Sequence, residues 1–182
     1  MTETLKWLCF MVEGGAVQRF HTRPGLAPYT DAAHSHGVAM LCHKLTQGRA
    51  SSNLLMAALV HDLGEQYSGD VSAPAKRALG LGERLKAAED LQLARYGLLF
   101  NLTAYEEHVL SVADQFEGLL WCCRERFMGN TTVNLMYDKW QLWCRQLTLT
   151  DTEYEVLTAI RELWGRAVGD YGPGFDVFEE KE

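Results

Sequence analysis

Apolar residues recur along this chain at the three- and four-residue steps of a helix, and no stretch of any length alternates as a half-buried strand would. The first run, Glu3 to Val12, carries Leu5, Leu8, Cys9 and Val12 at helical spacing before Gly14 and Gly15 interrupt it. Two prolines and a glycine make the stretch from Val17 to Tyr29 a loop. Thr30 or Asp31 can cap a second helix that runs to about Thr46 and stops at Gly48. Its inner stripe is His34, Val38, Leu41 and Leu45, with His36, Met40 and His43 on the other side. A third helix starts near Ser52 and ends at Gly64. Leu54, Ala58 and His61 share one line of it, and Leu55, Leu59 and Asp62 the next.

Pro74 and the glycines at 69, 80 and 82 break up the next segment. Between Gly82 and Leu99 the pattern predicts a helix with Leu85, Ala88, Leu91, Ala94 and Leu98 inward. Thr103 with Glu106 is a capping box, opening a long helix whose stripe runs Val109, Val112, Ala113, Phe116, Leu120, Cys123 and Phe127. Two more helices complete the pattern, one with Val133, Met136, Trp140, Trp143 and Leu147, the other capped at Thr150 with Leu157, Ile160, Trp164 and Ala167. The expected fold class is all-α, one domain over residues 1–168, with a loosely ordered tail over 169–182.

Composition narrows the function classes. A chain of 182 residues, 47% hydrophobic and 23% charged, is an ordinary globular domain able to bury a sizeable core. The net charge of -7 argues against a nucleic-acid polymer as partner, which calls for a basic patch. No apolar run reaches the ~20 residues of a membrane span, and no secretory signal is visible, so a cytoplasmic location is expected. The five cysteines, Cys9, Cys42, Cys122, Cys123 and Cys144, form no CxxC pair and read as reduced core residues. Trp140, Trp143 and Trp164 are core or oligomer-interface residues by default.

The candidate chemistry lies where the third helix ends, in Leu59-Val60-His61-Asp62-Leu63-Gly64-Glu65, with Ser68-Gly69-Asp70 just beyond. Ionisable side chains are seldom placed against a core unless paired or bound to metal. His34 points with the core residues of its helix, and Asp114 sits beside the apolar stripe of the long one. Two imidazoles and two carboxylates suit a divalent transition metal such as zinc, manganese, cobalt or iron, and packed helices can aim them inward from separate parts of the sequence.

His34, the His61-Asp62 doublet and Asp114 resemble the H…HD…D pattern of the HD-domain metal-dependent phosphohydrolases. Arg19-Phe20, Ala33-His34-Ser35, His61 to Glu65, Gly69-Asp70-Val71, Pro74-Ala75-Lys76 and Ala113-Asp114 resemble the bacterial 5′-deoxynucleotidase branch. The run Arg19-Phe20-His21-Thr22, Glu117-Gly118 and Arg124-Glu125-Arg126 incline the resemblance toward the small phage dATP triphosphohydrolases. It spans roughly residues 5 to 165. It implies an HD-domain helical bundle with His34, His61, Asp62 and Asp114 on a divalent metal (zinc, cobalt or manganese, with magnesium an option at a second site). It further implies Glu65 and Asp70 as catalytic carboxylates, one orienting water and the other protonating the leaving 5′-oxygen. On the substrate side it implies Arg19 on an α-phosphate oxygen, Lys76 on the outer phosphates, Phe20 at the base or the ribose C2′, Thr22 in the same run, and Pro74 at the base edge. Arg23 and Arg77 are weaker candidates. Relatives often carry tryptophan where Phe20 stands and glutamate where Ala33 stands. A homo-oligomer, working in the host cytoplasm if the chain is phage-encoded, completes the expectation.

The activity this suggests is hydrolysis of dATP to deoxyadenosine and triphosphate. The alternatives are a 5′-deoxynucleotidase acting on dNMPs, a non-catalytic HD-type nucleotide-binding or interaction module, and a helical scaffold. The module would be expected to have lost ligands, and none of the four is missing. The scaffold leaves His34 and Asp114 unexplained.

Overall fold

Hydroxyl side chains set where the helices begin. Thr2 accepts from the Leu5 amide at 3.2 Å, Thr30 from that of Ala33 at 3.4 Å and Ser51 from that of Leu54 at 3.0 Å. Thr103 and Thr150 form full capping boxes with Glu106 and Glu153. The computed structural model describes residues 1–167, and the expected tail lies outside the described residues. Its helices are α1 (Glu3–Gly15), α2 (Asp31–Leu45), α3 (Ser52–Val60), α4 (Ala73–Ala78), α5 (Gly82–Arg95), α6 (Ala104–Phe127), α7 (Asn134–Cys144) and α8 (Asp151–Arg166). Short 3-10 turns lie at Leu63–Gln66 and Thr131–Val133. Among the described residues no strand forms; an isolated antiparallel bridge joins Gln18 to Thr30. No described helix is long and apolar enough to cross a membrane.

The chain divides into two compact units, with the boundary inside α6 between Glu117 and Gly118. In the first unit α2 packs on α3, and both α1 and α5 pack on the Leu63–Gln66 turn. The expected stripe of α2 is inward: His34, Val38, Leu41 and Leu45 are all buried, while His36, Met40 and His43 are all exposed. Phe10, Val60, Leu63, Leu93 and Leu98 form a core cluster flanked by Tyr96 and Phe100, and the Phe10 and Tyr96 rings stack at 4.4 Å. Close backbone approach holds the turn in place. A Cβ on Gly64 would lie 2.8 Å from the Glu89 Cα, and one on Gly14 2.8 Å from the Leu63 carbonyl oxygen.

Two helices turn a different face inward from the one their apolar spacing predicts. In α1 the buried positions are Phe10 and Gly14, and Leu5, Leu8 and Val12 are exposed. In α5 Leu93 is buried and Leu85 and Glu89 are half-buried, whereas Ala88, Leu91 and Ala94 are exposed; Leu98, just past the helix, is buried as expected. The cause is the same in both: close approach to the 63–66 turn selects glycine or a polar flank over the most apolar stripe. Leu59 on α3 is likewise exposed. Helix α3 stops at Val60, short of the expected end at Gly64, and α4 forms in a stretch the sequence marks only as broken.

In the second unit, which comprises the rest of α6 with α7 and α8, Val133, Tyr137, Cys144, Leu157 and Ile160 are buried. Tyr137 and Trp164 stack at 3.7 Å, with the Arg126 guanidinium 4.0 Å from the centre of the Trp164 ring. A Cβ on Gly118 would lie 2.6 Å from the Trp140 ring. All five cysteines are free thiols, and burial pushes those of Cys42 and Cys123 up to about 12.

Candidate metal centre

Three elements of the first unit bring the four predicted ligands together: α2 carries His34, the C-terminal end of α3 leads into His61 and Asp62, and α6 carries Asp114. His34 Nε2 lies 3.3 Å from His61 Nε2, 3.5 Å from Asp62 Oδ2 and 3.1 Å from Asp114 Oδ1. His61 Nε2 lies 3.2 Å from Asp62 Oδ2. Ligand atoms on one cation at bonds of about 2.0–2.2 Å stand roughly 3.0–3.5 Å from their neighbours; His34, His61 and Asp114 group at metal-ligand spacing, and Asp62 Oδ2 lies against both imidazoles.

The imidazoles are oriented for that role. His34 Nδ1–H donates to Glu117 Oε2 at 2.6 Å, and His61 Nδ1–H donates to the Ala58 carbonyl at 2.9 Å. With both Nδ1 positions facing acceptors, each ring turns its Nε2 to the same point, the arrangement that metal-ligating histidines use. The Tyr29 hydroxyl donates to Glu117 Oε1, so the orienting carboxylate is itself held at both oxygens. Gly37 makes room for it, since a Cβ there would lie 2.7 Å from Glu117 Cγ.

The electrostatics are those of a site crowded with carboxylates. Burial favours neutral imidazoles, but carboxylates override it: Asp114 and Glu117 raise His34, and Asp62 with Asp114 brings His61 to about 9. Burial also opposes ionisation of Asp62, yet His61 and Arg19 hold it well below the usual carboxylate range. Glu65 is buried on the 3-10 turn; burial and the neighbouring Asp62 push it up to about 8 against the pull of Lys76. A divalent cation would answer the same negative potential and compete with protons for both imidazoles.

The remaining predicted residues surround this point. The Val17–Asp31 loop closes on itself, with Arg19 N–H donating to the Tyr29 carbonyl at 2.8 Å and Asp31 N–H to that of Val17 at 3.0 Å. That closure sets Arg19 beside Asp31 at 3.1 Å and in contact with Asp62 Oδ2. Phe20, at φ 53, lies nearly parallel to Tyr29 at 5.9 Å, and its amide donates to Asp70 Oδ2 at 2.8 Å. Lys76 Nζ pairs with Glu65 Oε1 at 3.3 Å. Thr22 and Pro74 are exposed and stand apart from this network. A second acidic trio, Asp31, Asp62 and Glu65, also has metal-ligand spacing, but the Arg19 guanidinium already sits against two of its members.

Sequence reasoning assigned no role to Tyr29, reached Glu117 only through the resemblance, and treated Asp31 only as a possible cap. The cap is Thr30, and Asp31 is 1% exposed. Glu117 stands three residues after Asp114, on the same side of α6, which is the one signal that could have joined it to the ligands.

Residues 31–119 match the family model of the HD domain. The chain thus carries an HD domain, and its fold is the all-α HD bundle. The structure is similar to that of the HD phosphohydrolase DatZ of cyanophage S-2L, solved bound to dA and one catalytic Zn2+ ion, with a TM-score of 0.60 at 16% identity over 91% of this chain and 98% of that one. It is also similar to an HD-domain phosphohydrolase of Listeria innocua, with a TM-score of 0.65 at 18% identity over 92% and 90% of the two chains. None of the curated proteins matches the chain.

Proposed function

We propose that this protein is a metal-dependent deoxynucleoside triphosphate phosphohydrolase that converts dATP to deoxyadenosine and triphosphate by hydrolysis at the α-phosphorus. The observation that carries the reading is His34 Nε2 standing 3.1–3.5 Å from His61 Nε2, Asp62 Oδ2 and Asp114 Oδ1, with Arg19 against the same Asp62 oxygen. The likeness to a phosphohydrolase bound to dA supports the choice of substrate.

In this reading His34, His61, Asp62 and Asp114 hold a zinc, cobalt or manganese ion. When bound, the ion supplies charge to a phosphoryl oxygen and acidity to water. Arg19 has an unpartnered Nε and offers its guanidinium to the α-phosphate. Glu65, with one oxygen unpartnered and its carboxyl pushed up by burial and Asp62, is placed to deliver a proton to the leaving 5′-oxygen. Asp70 holds the Phe20 amide and orients the attacking water with its remaining capacity. Phe20 lines the base and sugar side, Thr22 and Pro74 complete that wall, and Lys76 meets the outer phosphates on leaving Glu65. The proposal includes a homo-oligomer working in the cytoplasm, where the dNTP pool lies.

One observation favours the 5′-deoxynucleotidase as second reading: Lys76, the cation assigned to the outer phosphates, is paired with Glu65. Turnover of dATP and dAMP with added cobalt, zinc or manganese separates the two. Deoxyadenosine from dATP, abolished by a chelator and by H61A or D62N, is the expected result. Hydrolysis of dAMP alone selects the second reading, and no turnover under any metal sinks both.

A further inference from the structure

We infer that Arg19 competes with the metal ion for Asp62, and that Asp31 is the carboxylate that retains Arg19 once the ion takes Asp62. The inference rests on the reading of His34, His61, Asp62 and Asp114 as the metal-holding set.

A single oxygen, Asp62 Oδ2, faces both cations. It is the atom 3.2 Å from His61 Nε2 and 3.5 Å from His34 Nε2, and it is also the atom in contact with Arg19 Nη1. Arg19 Nη1 thus brings positive charge to the oxygen that the proposed ion would also use. A divalent ion and a guanidinium on one carboxylate oxygen repel, so binding of the ion favours withdrawal of Arg19.

The geometry provides somewhere for Arg19 to go. The same Nη1 lies 3.1 Å from Asp31 Oδ1. Asp31 Oδ2 and Arg19 Nε are both buried without a partner, so the pair has a spare acceptor and a spare donor. Turning the guanidinium so that Nε and Nη2 face the carboxylate as a two-bond fork satisfies both. Only the side chain has to move, because the backbones of both residues are fixed by the Arg19–Tyr29 and Asp31–Val17 hydrogen bonds across the loop closure. Asp31 is 1% exposed, so once Arg19 pairs with it the arginine stays inside the site beside the ion, where it would meet a phosphate.

The consequence is a coupling of definite sign. Arg19 weakens metal binding, and Asp31 relieves that weakening by drawing Arg19 off Asp62. The test is a double-mutant cycle read as Co2+ affinity of the full chain, followed by the visible absorption of bound cobalt and by competition with a chelator. R19Q, which keeps a hydrogen-bond donor but not the charge, is expected to bind Co2+ on the order of tenfold more tightly than wild type. R19K, which keeps the charge, is expected to stay near wild type. D31N is expected to bind about fivefold more weakly, and the R19Q/D31N double variant to match R19Q, since without Arg19 there is nothing for Asp31 to withdraw.

R19Q binding no more tightly than wild type overturns the role of Arg19, and the R19Q and R19K comparison decides this however well D31N folds. Equal weakening by D31N with and without Arg19 means that Asp31 acts only as a nearby charge, and overturns its role. Wild type that binds no Co2+ at all removes the metal-centre reading and the inference with it, an outcome distinct from the other two.

Discussion

At the scale of single residues, the candidate centre is ordered by His34 and His61, whose Nδ1–H groups point away from it, one to Glu117 and the other to the Ala58 carbonyl. In the proposed metal centre Glu117 would matter as much as a ligand, because it holds His34 in place. Replacing it by Gln leaves an amide that can donate to His34 Nδ1 as well as accept from it, so the tautomer is no longer fixed. We expect E117Q to lower Co2+ affinity by about 10- to 100-fold, measured by chelator competition, with the helical content unchanged. The titration of the site gives a second expectation. His61 is raised from 6.5 to about 9 in the fold, so its protonation stabilises the metal-free protein fully below about pH 6.5 and is lost as pH rises through about 9. Glu65, neutral in the fold up to about 8 but ionised above about 4.5 when unfolded, acts in the same direction. The melting temperature of the metal-free protein should therefore fall from about pH 6.5 to about 9, while the increase produced by Co2+ grows over that interval as protons stop competing. A flat metal-free profile would contradict these electrostatics.

The legibility of the site in the sequence divides along a physical line. That His34 lies beside His61, Asp62 and Asp114 was legible because helical phase sets His34 and Asp114 against a core, and the apolar run before residue 61 leads the doublet to the same place. Asp31 and Tyr29 were not, because their roles come from a loop closure between residues 17 and 31 that no local periodicity announces.

At the scale of elements, the 63–66 turn is the feature around which α1 and α5 are placed, and it does so through close backbone contact. G64A puts a methyl group 2.8 Å from the Glu89 Cα and 2.9 Å from its carbonyl oxygen. Neither backbone atom can rotate aside, and we expect a loss of about 1–3 kcal/mol in urea unfolding. The phase of α5 is tested by a contrasting pair. Leu93 is 4% exposed and Leu91 67% exposed, so L93A should cost about 2–5 kcal/mol and L91K less than about 0.5 kcal/mol. Apolar spacing alone ranks them the other way, because it reads Leu91 as inward. It fails here since half-buried Glu89 occupies the inward side, close to the acidic centre, and α5 follows the site's polarity as well as the core. Helices α2, α6 and α8, which have ordinary apolar faces and side-chain caps, read correctly from the sequence.

At the scale of the whole molecule, an acidic chain binding a polyphosphate has to concentrate positive charge locally. In the proposed function that charge would come from Arg19 and Lys76, which pair with Asp62 and Glu65, together with a cation on His34, His61, Asp62 and Asp114. All-α architecture and the HD bundle were legible in helical patterning and in one ordered set of motifs. The number of phosphates on the substrate is legible in neither, since one arginine serves a monophosphate as well as an α-phosphate. The most direct measurement is hydrolysis of dATP in H2-18O with bound cobalt, with products resolved by mass. Attack at the α-phosphorus predicts unlabelled deoxyadenosine and triphosphate carrying one 18O. Intact dATP alongside labelled orthophosphate released from dAMP would contradict it.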